Sequence, residues 1–221
     1  MPVTHDKGKS SGKSRSQMRI AIVGECGVGK TSIVRRFLKQ YVLADQIKAT
    51  IGVSRSELLY HVDGAMFVLN ILDMAGSQHF EKLIKSYLLQ ADAVIFVYDI
   101  TDKESFAMLP VWNMLVSNNC ARDVVKFLVG NKKDLCPYHR QVRFGNAKTY
   151  ANFEGMVALE VSARDDDSID LIFQCAAQEL KTKYGGSTSG QIPNKTKTTR
   201  TAFQFTSLVR RFRGIIGSKS S

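Results

Sequence analysis

Gly24-Glu25-Cys26-Gly27-Val28-Gly29-Lys30-Thr31 matches the pattern G-x-x-x-x-G-K-[ST] at every fixed position. A short β-branched run at 19–23 precedes this stretch, and a helical pattern follows from Lys30 to about Gln40. In such a strand–loop–helix setting, glycines allow backbone N–H groups to turn inward around a phosphate, and the helix N-terminus adds its positive end. A chance glycine-rich turn is the alternative interpretation, and the flanking strand and helix argue against it. The stretch therefore predicts a phosphate-binding loop.

The side chains of this loop have distinct predicted tasks. Lys30 is expected to reach the β- and γ-phosphates of a nucleotide, and the Thr31 hydroxyl is expected to ligate Mg²⁺. The residues of the loop and the one after it are predicted to bind nucleotide: Glu25, Cys26, Gly27, Val28, Gly29, Lys30, Thr31 and Ser32.

Strand-like and helix-like segments alternate along the rest of the chain. Continuous apolar runs of buried-strand length lie at 93–98, 124–129 and 157–161. Asp63-Gly64, between the apolar runs 58–61 and 65–72, predicts a β-hairpin. Helical patterns lie near 80–90, 103–118, 144–153 and 168–183. The alternation predicts an α/β fold of the P-loop NTPase kind, with a doubly wound sheet of about six strands, one antiparallel edge strand and about five helices.

The positive charge is concentrated at the two ends of the chain. Of the net charge of +11, residues 1–17 carry +3 and residues 185–221 carry +7, which leaves 18–184 close to neutral. The folded part therefore needs no polyanion beyond a phosphate ligand, and nucleic acid is not an expected partner. We predict a disordered basic tail over 1–17, one domain over 18–184, and a second basic tail over 185–221.

The cysteines and the apolar runs indicate a compartment. Cys26, Cys120, Cys136 and Cys175 show neither paired metal spacing nor the pattern of a short disulfide-bonded domain. No apolar run approaches the roughly 20 residues of a membrane span, and the polar N-terminus does not have the pattern of a secretory signal. These features predict a cytoplasmic protein.

Two further motifs follow strands of the predicted sheet. Asp73-Met74-Ala75-Gly76 places an acid where it can hold Mg²⁺ through water, and Gly76 can offer its N–H to the γ-phosphate. Asn131-Lys132-Lys133-Asp134 directly follows a buried strand. The Asp134 carboxylate can accept both N–H donors at the edge of guanine, a pair that adenine lacks. Lys132 can lie along the purine and Asn131 can join this loop to the phosphate-binding loop. A solvated turn is the default for such a sequence in isolation, and the phosphate-binding loop in the same sheet favours guanine.

In the order and spacing of these motifs the sequence resembles the Ras superfamily, and within it the Rab branch. The resemblance covers roughly 18–184, includes Ser162-Ala163-Arg164, and is strong over 91–101. It implies that Thr50 is the first-switch threonine that meets Mg²⁺ and γ-phosphate, and that Ser162, Ala163 and Arg164 support the base. The implied metal set is Thr31, Thr50 and Asp73, and the implied catalytic set is Lys30, Gly76, Ser77 and Gln78.

What the resemblance implies for function is a monomeric GTPase switch. The cofactors would be GTP or GDP with Mg²⁺. The partners would be effector proteins, an exchange factor and a GTPase-activating protein, most simply in vesicle-mediated transport. An ATP-dependent kinase or ATPase is the third class considered, and the Asn131–Asp134 motif opposes it.

Two departures from the family pattern bear on hydrolysis. Ser77 stands where the family has its water-orienting glutamine, and Gln78 comes one residue late. Cys26 occupies a loop position that the family usually gives to Gly or Ser, where a side chain crowds an incoming arginine. Both changes predict slow turnover. They also support an alternative function, a GTP-binding adaptor that holds nucleotide without hydrolysing it. For Cys26 itself a simple packing role is preferred over a reactive thiolate.

Two other departures bear on the nucleotide and on membranes. The segment between Lys30 and Thr50 is one residue longer than usual, so the aromatic residue beside guanine falls at Val42 or Leu43, with Tyr41 the nearest candidate. No cysteine follows Cys175, so C-terminal prenylation is not expected. A helical pattern over 203–216 has one apolar face beside arginines. This segment could contact an anionic membrane or an acidic partner groove, or it could remain disordered.

Overall fold

A six-stranded sheet forms the centre of the chain in the computed structural model, which describes residues 17–40, 49–165 and 168–185. The strands are β1 Gln17–Val23, β2 Val53–Val62, β3 Ala65–Met74, β4 Ala93–Asp99, β5 Val125–Asn131 and β6 Val157–Glu160. They are ordered β2-β3-β1-β4-β5-β6, and β2 runs antiparallel to β3 while the other neighbours are parallel. The predicted doubly wound sheet with one antiparallel edge strand is confirmed.

The five predicted helical regions are all present in the described residues. The α-helices are α1 Lys30–Phe37, α2 Glu81–Leu88, α3 Lys103–Ala107, α4 Leu109–Asn119, α5 Phe144–Phe153 and α6 Ile169–Gly185, with 3-10 turns at Gln78–Phe80 and Lys133–Leu135. The region predicted as one helix over 103–118 is divided between α3 and α4. Pro110 explains the division, because it has no N–H to continue the hydrogen-bond ladder and is tolerated only in a helix's first turn. α1 ends before the predicted Gln40, and Lys39 follows it with φ of 55°.

The β2–β3 hairpin has the turn that its sequence predicts. Asp63 and Gly64 take φ of 44° and 78°, and Val62 pairs with Ala65. Two consecutive positive φ values are typical of the two-residue type I′ turn, which Asp-Gly favours. The strand bounds 53–62 and 65–74 are wider than the predicted apolar runs, because β2 lies at the sheet edge and alternates buried and exposed side chains.

Two apolar layers cover the two faces of the sheet. On one face α1 and α6 pack together, and the Phe37 and Phe173 rings stack with centroids 3.8 Å apart. On the other face, α2, α4 and α5 cover Phe96 and Tyr98 of β4, a strand whose residues are all buried. Since β1, β3, β4 and β5 run parallel, their carboxyl ends meet at one edge, where open α/β sheets bind ligands.

Some predictions fall on residues that the structure does not describe. These are the position of Tyr41, Val42 and Leu43 beside the base, the segment 203–216, and the tails apart from their inner residues, since Gln17 begins β1 and Gly185 ends α6. In the part of the chain that is described, no helix combines the length and hydropathy needed to cross a membrane.

Candidate nucleotide-binding site

The phosphate-binding loop connects β1 to α1 and closes tightly on itself. Gly29 caps α1 with φ of 93°, and a Cβ atom there would overlap the side-chain amide of Asn131. Lys30 is buried, and its Nζ donates to the carbonyl oxygens of Gly24 and Glu25, each at 2.7 Å. Burial lowers the pKa of the Lys30 ammonium to about 8, although the nearby Asp73, Cys26 and Glu25 oppose this effect. The ammonium is thus held against the loop in the lining of the cleft, where it could contact a bound phosphate.

The three residues predicted to hold the metal meet at the start of α1. Thr31 Oγ1 donates to Asp73 Oδ2 at 2.6 Å and lies 2.8 Å from Thr50 Oγ1. Thr50 Oγ1 is 3.5 Å from the same carboxylate oxygen. Among the described residues, the buried Asp73 Oδ1 has no hydrogen-bond partner. Two hydroxyls and one carboxylate are hard oxygen donors of the type that Mg²⁺ prefers, so this set fits the ion.

Burial shifts the protonation of this set. It raises the pKa of the Asp73 carboxyl, and the hydrogen bond from Thr31, the Lys30 charge, the hydrogen bond from Thr50 and the Arg35 charge act in the opposite direction. A carboxylate in this position is therefore stabilised by a cation, which a bound metal ion would supply.

Asn131 joins the loop after β5 to two other loops. Its Nδ2 donates to the Val28 carbonyl oxygen at 2.8 Å, and its Oδ1 accepts from the Ala163 N–H at 3.0 Å. Ser162 Oγ donates to Asp134 Oδ1 at 2.7 Å and accepts from the N–H groups of the two residues that follow Ala163. The structure thus brings the predicted base-binding residues together, with the Asp134 carboxylate fixed by Ser162.

Lys132 is positioned by a residue that the motifs do not contain. It takes a left-handed conformation with φ of 66°, and its Nζ forms an ion pair with Asp99 Oδ2 at 2.6 Å. Asp99 ends β4, beside β5, and its other carboxylate oxygen accepts from Thr101. The register of β4 with β5 creates this pair, and an acid at the end of a buried strand was the sequence signal that could have identified Asp99.

An open cleft of about 1040 Å³ collects most of the predicted site. The predicted residues that line it are Cys26, Gly27, Gly29, Lys30, Thr31, Ser32, Thr50, Gly76, Ser77, Asn131, Lys132, Asp134, Ala163 and Arg164. Asp73 lines a smaller cavity next to it, together with Thr31 and Thr50. Val28 and Ser162 are buried behind the cleft and act through the hydrogen bonds described above.

The residues after Gly76 form a tight turn beside the phosphate-binding loop. Gly76 approaches the phosphate-binding loop so closely that a Cβ atom would overlap the backbone of Cys26. Ser77 Oγ lies 3.0 Å from His79 Nδ1, within hydrogen-bonding distance. Gln78 begins the 3-10 turn that separates Ser77 from α2. His79 was not predicted, and only its spacing of two residues from Ser77 within a tight turn could have indicated it.

Glu25 contributes its backbone rather than its side chain to the loop. Its carbonyl oxygen accepts from Lys30, whereas its Oε1 accepts from Trp112 Nε1 of α4 at 2.9 Å. Trp112 is the single tryptophan of the chain and is buried. This hydrogen bond ties the phosphate-binding loop to α4, a long-range contact that no local pattern shows.

Comparison with known proteins agrees with this geometry. Residues 19–182 match the sequence model of the Ras family. The chain belongs to the Ras family. It is 37% identical over 155 residues to the Ras-related protein Rab-30 of Homo sapiens, covering 70% of this chain and 75% of that protein. It is 34% identical over 167 residues to the Ras-related protein Rab-37 of Homo sapiens, covering 76% of this chain and 74% of that protein.

Family membership establishes the coarse function. The chain is a Rab-like small GTPase, a GTP hydrolase that binds guanine nucleotide and acts as a molecular switch. The predicted resemblance to the Rab branch is confirmed.

Proposed function

We propose that this Rab-like protein is a slow, Mg²⁺-dependent GTPase switch. It works in vesicle-mediated transport as a cytoplasmic monomer, and it does not need nucleic acid as a partner. The observation that carries the proposal is the meeting of Thr31, Thr50 and Asp73 at the start of α1. These residues come from three separate segments of the chain, and the oxygen atoms they bring together have the chemistry of a magnesium site. The expected partners are effector proteins, an exchange factor and a GTPase-activating protein.

Different residues of the cleft bind the phosphates, the base and the metal ion of the nucleotide complex. Lys30 and the N–H groups of the loop bind the phosphates, and Asp134 accepts from the guanine edge while Ser162 fixes its orientation. Thr31 and Thr50, with Asp73 through water, would hold Mg²⁺, which would supply positive charge beside the β- and γ-phosphates. Thr50 and Gly76 are the residues that would sense the γ-phosphate, so its loss would release the two segments that contain them.

Slow hydrolysis follows from the two departures near the γ-phosphate end of the cleft. Ser77 is short and lies within hydrogen-bonding distance of His79, so it is poorly suited to orient an attacking water. Cys26 is exposed and lines the cleft, in the space that an incoming arginine would need. The same two observations favour the second candidate, an adaptor that retains GTP without turnover.

A binding experiment tests the proposed nucleotide and metal. We expect the purified chain to bind GDP and GTP at least about 100-fold more tightly than ATP, with affinity that falls when EDTA removes Mg²⁺. Asp134→Ala should reduce guanine nucleotide affinity and abolish the preference over ATP. The matched control is Asp123→Ala, since Asp123 is an exposed acid that pairs with Lys183 of α6. Equal binding of ATP and GTP by the wild-type chain would contradict the proposal.

A further inference from the structure

A small cavity of about 370 Å³ lies beside the candidate metal site, between α1 and β2. Its polar lining includes Thr31 and Arg35 of α1, Ser54 of β2, and Asp73 of β3. Arg35 is half-buried and also lines the nucleotide cleft, so it stands between the two spaces. The motifs assign Arg35 no role.

Two residues of opposite charge that line this cavity each have a buried side-chain atom without a hydrogen bond. Within the described ranges, Arg35 Nη1 and Asp73 Oδ1 are both inaccessible to solvent and have no partner. If Arg35 lay on the solvated face of α1, water would satisfy the N–H donors of its guanidinium. Its Nη1 is instead buried. Because an unpaired buried donor or acceptor is costly, each of these atoms calls for a partner.

The position of Arg35 on α1 directs it toward the candidate metal site. It follows Thr31 by one helical turn, and side chains on a helix lean toward its N-terminus and so cover the preceding turn. Thr31 donates to Asp73, which places Arg35 on the same side of α1 as the carboxylate. The Arg35 charge also helps to lower the pKa of Asp73, against the larger effect of burial. The guanidinium and the carboxylate therefore interact through their charges, without a hydrogen bond between the two buried atoms.

A buried carboxylate needs compensating charge whether or not a metal is bound. The Lys30 charge also acts on Asp73, but two of the three Lys30 N–H donors go to backbone carbonyl oxygens of the loop. Among the described residues that line the small cavity, Arg35 is the cationic one, and it carries a buried donor that is still available.

We propose that Arg35 is a resident counter-charge for Asp73, which lowers the affinity of the site for Mg²⁺ and stabilises the site when the metal is absent. The inference rests on the proposed Mg²⁺–nucleotide site. Arg35 acts through Asp73, so it is a positioning residue. The Asp73 carboxylate would then interact with a second cation when metal is bound, and with the Arg35 charge when metal is absent.

The first test measures the release of a fluorescent GDP analogue at increasing Mg²⁺ concentrations. In Arg35→Gln, we expect the Mg²⁺ concentration that half-maximally slows release to fall on the order of tenfold, the size usual for an outer-shell residue. Lys39→Gln is the matched control, since it removes one charge from the exposed residue just after α1 and should leave the midpoint unchanged. A midpoint in Arg35→Gln that equals or exceeds the wild-type value would overturn the inference.

A second test uses the wild-type chain, so it does not depend on the folding of a variant. In ¹⁵N-arginine spectra of the GDP complex, the Arg35 side-chain signal should shift when EDTA removes Mg²⁺. The Arg140 signal should not shift, because Arg140 is bound to Glu160 through both terminal nitrogens. An unmoved Arg35 signal would overturn the inference. If the rate of wild-type GDP release does not depend on Mg²⁺ concentration, both this inference and the proposed metal dependence are wrong. An unchanged Mg²⁺ midpoint in Arg35→Gln refutes this inference alone.

Discussion

At the residue scale, the four cysteines occupy environments that predict different reactivities. Cys26 is exposed and lines the nucleotide cleft. Cys120 and Cys175 are partly buried, and burial raises the pKa of each thiol to about 11. Since the thiolate is the reactive form, a thiol with a higher pKa reacts more slowly at neutral pH.

We predict that iodoacetamide at pH 8 labels Cys26 rapidly in nucleotide-free protein, and that saturating GDP with Mg²⁺ protects it. Labelling of Cys120 and Cys175 should be slow and should rise about tenfold for each pH unit up to pH 10, because the thiolate fraction grows with pH below the pKa. Peptide mass spectrometry gives the rate at each site, with Cys120 as the internal control. Equal Cys26 labelling with and without GDP would show that this thiol does not border the nucleotide, and would also count against a redox role.

The residue scale also shows what one sequence can and cannot reveal. The motifs predicted Lys30 and Asp134 because their spacing is local and tied to one chemistry. Asp99, Trp112 and His79 were missed for another reason. Their partners are set by strand register, by packing between α4 and the loop, and by a tight turn, and these are properties of the folded chain.

At the scale of elements, the site depends on three loops that the Asn131 amide joins. Asn131 accepts from Ala163 and donates to Val28, so it joins the loops after β1, β5 and β6. The amide is buried, and loss of its bonds would leave the buried Val28 carbonyl oxygen and the half-buried Ala163 N–H without these partners.

We predict that Asn131→Ala weakens GDP binding by at least about 10-fold, since two hydrogen bonds are lost and each costs about 1–3 kcal/mol. Isothermal titration with GDP measures the change. Asn119→Ala serves as the control because the Asn119 amide makes one local hydrogen bond, to Leu115 near the end of α4. An Asn131→Ala affinity within twofold of the Asn119→Ala value would show that the three loops do not depend on this residue.

Some boundaries of helices and strands were predicted correctly from the sequence pattern, and others were not. The hairpin at 62–65 was predicted correctly because Asp-Gly specifies its turn. The region 103–118 has a continuous helical pattern, and only the absent N–H of Pro110 divides it. The carboxyl end of α1 was predicted too late, because the left-handed conformation of Lys39 comes from a residue type that gives no turn signal.

At the scale of the whole molecule, the chain has a Ras-family fold but departs from the family pattern at two positions expected to affect hydrolysis. The sheet edge gathers the loops that we propose bind phosphate, metal and base, and family membership agrees with a guanine-nucleotide site there. The altered parts, Cys26 and Ser77, face the same cleft. We propose that this molecule holds guanine nucleotide firmly and hydrolyses GTP slowly.

Single-turnover hydrolysis of bound GTP tests that claim most directly. We predict a wild-type rate at or below about 10⁻⁴ s⁻¹, and a rate on the order of tenfold higher in Ser77→Gln, whose longer amide can orient water. Ser86→Gln is the matched control, because Ser86 is exposed on α2 away from the cleft and should keep the wild-type rate. Brisk wild-type turnover would contradict the claim of slow hydrolysis. If wild type and Ser77→Gln both retain GTP unchanged, the switch account is wrong and the adaptor function is supported.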